Sequence, residues 1–416
     1  MKLRRFEILC VALLALTGLF HLCAAAPLAR FAAAHWGAKI LAATDGNVPD
    51  AKVFLQLLLH DAVILFSLAA SLTLVHAFGA RWLPLPSVTR RRRWVVHSLL
   101  AFAAVNLWLL VASHTTLFWL LLWQGRDYNT AVTRFQLKHQ LLLHHPAARK
   151  AVILGNSQAR AQIEEAQLNQ LFGAQLYTGE LHFPGSRGVD VWLTHRHLEA
   201  NSAQIVICYV PEGFFYGNHN LSEAATSFFS FSDWHAAKKL GALEEIPARK
   251  LGYGLLGDAL PVFALREPLA HRLLGYGVGD IRQRQHDELG KPALDHSLAT
   301  AAAEYQFDRL SEFQKRAFTA FVADCVAQKQ TLMLIAGQIN PKLGSLINPA
   351  VHEDMLAFLR QLRQDFPSVM LVDDCPAQSE ADYEDITHVN KVRQEKFTEF
   401  ISERLRQILS ETNRAK

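Results

Sequence analysis

The residues best suited to chemistry are a serine at the end of an apolar run and an aspartate–histidine pair near the other end of the chain. The serine is Ser157 in "AVILGNSQAR" (151–160), and the pair is Asp385 and His388 in "DYEDITHVNKVRQEKF". Nucleophilic serine chemistry needs an imidazole to take the hydroxyl proton and a carboxylate to orient that imidazole. A D-x-x-H spacing lets the carboxylate reach Nδ1 and leaves Nε2 to face the serine. In a chain with 19 histidines about one such spacing is expected by chance, so its position is what gives it weight. Ser157 follows the first strand of a β/α alternation and the Asp385–His388 pair follows the last. Both then project from the carboxyl edge of a parallel sheet, where α/β folds place their sites. The bland alternatives are ordinary turn chemistry for Gly155-Asn156-Ser157, a helix N-cap role for Ser157, and capping or packing of the last helix for His388.

The elements that would hold these residues are short β-rich runs: "AVIL" (151–154), "AQLY" (174–177), "QIVICYV" (204–210), "TLMLIA" (331–336) and "SVMLV" (368–372). Helical patterns lie between them at about 158–172, 187–200, 312–329 and 351–365, and a last helix runs from about Val389 to Ser410. Continuous apolar strands separated by amphipathic helices imply a parallel sheet covered on both faces. The expected fold is a three-layer α/β domain of about five parallel strands over residues 151–416. The stretch from about 212 to 310 breaks the rhythm and reads as a largely helical insertion over the same edge. Its aromatics, as in "GFFYGNHNLSEAATSFFSFSDW", suit an acyl pocket, a membrane contact or a partner, and equally a small core of their own.

Upstream the character changes. Half of the 416 residues are hydrophobic and 19% are charged, and the apolar excess sits near the start. Three stretches, about 6–26, 53–78 and 94–123, are long enough to cross a bilayer. They make residues 1–125 a three-helix membrane region joined to the domain by a linking segment, 126–150. Asp61, Asn106 and His114 inside these stretches read as buried structural polars. "MKLRRF" and the cluster Arg81, Arg90, Arg91, Arg92 and Arg93 place the N-terminus and the second loop at the cytoplasmic face. The large domain then lies outside the cytoplasmic membrane. A cleaved signal peptide at the start is the rival reading, and it leaves the domain on the same side.

Net charge is only +4, which excludes a strongly basic nucleic-acid binder. The five cysteines show no metal spacing, and a Cys325–Cys375 bridge is a bare possibility. His182 and the "HQLLLHH" run lack ligand company, so no metal and no cofactor is expected. Arg160, one helical turn after Ser157, suits either an acidic neighbour or an anionic substrate group.

Taken together, the residues resemble the SGNH (GDSL-like) hydrolase and acyltransferase superfamily over the region from 150 onward. Gly155-Asn156-Ser157 looks like its Gly-Asp-Ser block, and Asp385-Ile386-Thr387-His388 matches its Asp-x-x-His block. "FPGSRG" puts Gly185 where its second block supplies a glycine amide. The resemblance implies a flavodoxin-like SGNH domain with Ser157 as nucleophile, His388 as base and Asp385 as its orienter. It also implies an oxyanion hole made by the amides of Ser157 and Gly185 and a side-chain asparagine. The chain departs at the third block, where it reads "YVPEGFF" and offers no asparagine. Asn340, Gln338 and Asn156 are the weak substitutes for that donor. Envelope members, such as the D-alanyl-transfer and alginate O-acetylation proteins, imply a serine acyltransferase or esterase acting on an envelope glycan or glycolipid. They also imply an integral-membrane acyltransferase as partner. A non-catalytic envelope protein that binds polymer or holds an assembly together is the competing expectation.

Overall fold

The computed structural model describes residues 102–103, 105–122, 131–145, 147–198, 202–216, 229–240, 255–265, 268–269 and 309–414. The chain divides into two compact units, residues 1–127 with 260–266, and residues 128–259 with 267–416.

In the first unit the apolar stretches at 6–26 and 53–78 lie outside the described residues. The third was expected as one helix over 94–123, and its described part is two: α1 (Val105–Ala112) and α2 (Thr116–Leu122), bent by 102°. The break has a local cause. Thr115 Oγ1 accepts from Phe118 N at 3.3 Å and so caps α2, while the Trp119 indole donates to Ser113 O at 2.7 Å. Among the described residues no single helix is long and apolar enough to cross a membrane. Asn106 is a satisfied buried polar, since its Nδ2 donates to Phe102 O and its Oδ1 accepts from Val262 N.

The second unit begins with α3 (Ala131–His144), within the expected linking segment. It continues as β1 (Lys150–Leu154), α4 (Ser157–Gln162), α5 (Glu165–Phe172), β2 (Tyr177–Glu180), α6 (Gly188–Arg196) and β3 (Ile205–Val210). After α7 (Phe231–Lys239) come α8 (Glu312–Ala327), β4 (Thr331–Ala336), α9 (Pro341–Gly344), α10 (Ala350–Asp365), β5 (Met370–Val372) and α11 (Lys391–Arg414). All strands are parallel, in the order β2-β1-β3-β4-β5. That is the doubly wound flavodoxin-like arrangement.

Strand periodicity sorts the core. Ala151, Ile153, Ile205, Ile207, Met333 and Ile335 face a layer formed by α4, α5 and α11, where Phe397, Ile401 and Leu405 are buried. On the other face Phe318 and Phe321 of α8 are fully buried. Phe214 and Phe215 sit in a 3-10 turn (Glu212–Phe215) directly after β3 and pack edge-on or tilted against Phe318. The first aromatics of the expected insertion are therefore core, and most of the rest of that stretch lies outside the described residues.

Two elements differ from expectation. The helix expected over 158–172 is split, because Ile163 is extended and Glu164 N donates to Thr398 Oγ1 on α11 at 2.8 Å. The second strand is Tyr177–Glu180, later than "AQLY", because residues 173–175 form a 3-10 turn. Its sequence, YTGE, is too polar to read as a buried strand. Cys208, Cys325 and Cys375 are free thiols.

Buried imidazoles make this unit sensitive to acid. Burial, with the fields of His197 and His144, lowers His139 to about 4. Burial, with the field of Lys150, lowers His145 to about 4 as well. An unfolded histidine titrates at about 6.5. Below that pH the unfolded chain takes up protons the fold refuses, so stability falls progressively from pH 6.5 towards 4. Denaturant unfolding across this range should show the loss, and His139→Leu should flatten it. Equal slopes for both proteins would reject the assignment.

Candidate active site

Gly155 ends β1 under a tight constraint. A Cβ there would stand 2.4 Å from Ala159 Cβ, one turn into α4, so the chain can turn into the helix only with glycine. Asn156 then caps α4, its Oδ1 accepting from Gln158 N at 2.9 Å. The capping role therefore belongs to Asn156, not to Ser157. Ser157 is the first residue of α4 and half-buried, and its hydroxyl makes no hydrogen bond among the described residues.

The same division recurs at the other end of the chain. Asn390 caps α11, its Oδ1 accepting from Arg393 N at 3.0 Å. His388 is thereby relieved of capping. Its Nδ1 lies 2.7 Å from Asp385 Oδ2, and Asp385 Oδ1 accepts from the amides of His388 at 2.7 Å and Thr387 at 2.8 Å. Burial works to raise the Asp385 carboxyl. The hydrogen bonds from His388 and the two amides outweigh it and hold the group below the usual carboxylate range. An ionised Asp385 fixes the imidazole with Nδ1 occupied, and the ring is about a third exposed, at 29%.

Several contacts dock these two regions together. Gln394 on α11 donates to Arg160 O at 2.7 Å, and Lys391 pairs with Glu164. Gln162 at the end of α4 and Gln378 before the dyad exchange amide hydrogen bonds, the better one at 3.0 Å. Gln378 in turn accepts from Tyr383 Oη, two residues before Asp385. The helix opened by Ser157 and the loop holding His388 are thus parts of one packed assembly. Ser157 and His388 are not hydrogen-bonded to each other.

The oxyanion candidates separate into two groups. Gly185 lies in an exposed Pro184–Gly185 turn after β2, with φ +69° and Ser186 N donating to Phe183 O at 3.1 Å. This is the left-handed position that a type II turn reserves for glycine. Neither its amide nor that of Ser157 makes a hydrogen bond among the described residues. The side-chain substitutes are engaged. Asn340 caps α9 through Lys342 N and donates to Asp385 O at 3.4 Å, so it braces the dyad loop. Gln338 donates to Cys375 O at 3.0 Å. Arg160 offers its carbonyl to Gln394, and its guanidinium forms no ion pair among the described residues. It does help hold Glu180 ionised through its field.

Two features had no sequence signal. One is a buried cluster at the end of β2, where Lys138 pairs with Glu165 and, at 3.2 Å, with Glu180. His182 Nδ1 approaches Glu180 Oε1 at 2.8 Å, off the line of a good hydrogen bond. The other is a second acid–imidazole pair, Glu212 with His352, whose members are 140 residues apart. Among the described residues no group of three His, Cys, Asp or Glu side chains converges as a metal site.

No family model matches the chain, and no curated protein matches it at a significant level.

If Asn156 rather than Ser157 carries the cap, the two alanine variants should diverge. Asn156→Ala should cost about 1 kcal/mol of stability, while Ser157→Ala should stay within about 0.5 kcal/mol of the parent. Denaturant titration separates the two, and a comparable loss for Ser157→Ala would return the capping role to the serine.

Proposed function

We propose that the chain is a membrane-anchored, extracytoplasmic serine acyltransferase or esterase of SGNH type. It would act on an O-acyl group of an envelope glycan or glycolipid. The observation that carries this reading is the Asp385–His388 dyad. Its 2.7 Å contact and doubly bonded carboxylate sit on a loop docked to the helix that Ser157 opens. Relief of both Ser157 and His388 from capping supports it further.

In this reading His388 Nε2 takes the Ser157 proton as Oγ attacks the acyl carbonyl. The oxyanion forms against the amides of Ser157 and Gly185. The leaving alcohol departs with the proton from His388, and an acyl-enzyme remains. A sugar hydroxyl or water then gives its proton to His388 and attacks the acyl carbon, restoring Ser157. The contact between Ser157 and His388 belongs to the substrate complex, since catalytic hydrogen bonds are often long or misaligned in an empty site. The apolar stretches and the arginine cluster of residues 1–125 support anchoring and the side of the domain. They also favour transfer, with an integral-membrane acyltransferase as partner.

The second reading is a non-catalytic envelope assembly or polymer-binding protein. The unjoined Ser157 and His388 favour it, as does the absence of an asparagine after β3.

A serine-directed phosphonate, followed by mass spectrometry of the modified peptide, tests the choice. Labelling is expected at Ser157, and it should fall at least about 100-fold in His388→Ala. Unlabelled Ser157 in a folded protein, or labelling indifferent to His388, would favour the non-catalytic reading.

A further inference from the structure

The turn that carries Gly185 has no support at its tip. Pro184 and Gly185 are exposed, and a Cβ on Gly185 would meet no atom within 4 Å. Where its amide points is therefore decided by the residues on either side. Downstream, Arg187 Nη1 donates to Tyr216 O at 2.9 Å, and the Arg187 amide donates to Asp190 Oδ2 at 2.8 Å. Upstream, the chain stays buried through Leu181, His182 and Phe183 before it surfaces. Phe183 is the pivot. Its carbonyl closes the turn by accepting from Ser186 N at 3.1 Å and from Ser186 Oγ at 2.7 Å. Its ring lies stacked on that of Phe135 in α3, with centroids 5.1 Å apart and planes 18° apart. Lys138, three residues further along α3 and so on the same helix face, pairs with Glu165 and Glu180. Glu165 also accepts from the Glu180 amide at 3.3 Å. The exit of β2 is thus held by α3 at two points, through a ring and through a charge.

We propose that α3 positions the oxyanion turn, with Phe135 acting through Phe183 as the positioning residue for the Gly185 amide. This rests on the acyl-transfer reading and deepens it, because a helix ahead of the sheet then sets the geometry of the hole. Phe135 touches no reacting atom. A donor displaced from its line lowers transition-state stabilisation while ground-state binding is kept. Leucine at 135 keeps an apolar contact but removes the flat surface on which the Phe183 ring rests.

Two measurements on the full-length chain in detergent separate the turn from the chemistry. Hydrogen exchange of the peptide covering 183–190 reads the bonded amides of Ser186 and Arg187, and Phe135→Leu should exchange them about 10-fold faster. A serine-directed phosphonate puts its phosphoryl oxygen in the hole as it reacts with Ser157. Phe135→Leu should slow its limiting labelling rate about 10-fold and leave its binding constant within about 2-fold. Phe172→Leu, at the end of α5 and so at the opposite edge of the sheet, is the control. It should lower the melting temperature and move neither readout. Phe183→Leu removes the same stack from the other side, so it should match Phe135→Leu and stands in for it if that variant does not fold. The double variant should be no slower than the slower single one, since the rings act through each other. Unchanged exchange in folded Phe135→Leu, equal slowing in Phe172→Leu, or additive slowing in the double variant would overturn the proposal. A parent chain unlabelled at Ser157 would remove the acyl-transfer reading, and the exchange measurement would still decide whether α3 holds the turn.

Discussion

The docking of α11 onto α4 is the contact on which any joint action of Ser157 and His388 depends. Thr398 on α11 takes the amide of Glu164, a residue 234 positions earlier. That bond is made where the chain leaves α4, so it both ends the helix and anchors it. The apolar layer beneath, with Phe397, Ile401 and Leu405 against Ala159 and Ile163, supplies the bulk of the attachment. Hydrogen bonds of this kind add only about 1 kcal/mol each. Their weight lies in register, since sliding α11 by one turn would unpair Thr398, Gln394 and Lys391 together.

Polar burial on the β2 side follows a different logic. Lys138, Glu165, Glu180 and His182 are all at most 8% exposed. Burial pushes His182 down so that it stays neutral, and Lys138 leads the charges that keep Glu180 ionised against desolvation. The Glu180 carboxylate is thus offset by Lys138 and the field of Arg160. Such clusters are poor sources of stability, because desolvation costs several kcal/mol per ion. This one ties α3, α5 and the end of β2 together immediately before the turn that carries Gly185. Its geometric effect is to fix where that turn begins.

The sheet was legible in the sequence wherever strands were apolar and helices amphipathic. The runs at 151–154, 204–210 and 331–336 reappear as β1, β3 and β4 almost residue for residue. β2 starts later than the sequence suggests because residues 173–175 form a 3-10 turn, and Leu142 packing over Gly179 compensates for its polar composition. The 158–172 segment reads as one helix in the sequence because its break is set by Thr398, which no local pattern reveals. The Asp385–His388 pair was legible because its members are three residues apart. Glu212–His352 was not, since 140 residues separate its members and only the fold joins them. The capping asparagines, Asn156 beside Ser157 and Asn390 two residues after His388, take the roles that the sequence offered to the serine and the histidine.

In the acyl-transfer reading proposed above, the glutamate after β3 bears on the oxyanion site only through its charge. A bare carboxylate near a developing oxyanion would oppose it through the repulsion of like charges. That repulsion would come on top of the lack of an asparagine donor. Glu212 escapes this penalty because its charge is spent on His352, on the face of the sheet that carries α8 and α10. The pair presents no net negative charge while the imidazole is protonated. In that reading the paired glutamate need not repel charge forming at the amides of Ser157 and Gly185, and an oxyanion site of two backbone amides is electrostatically tenable.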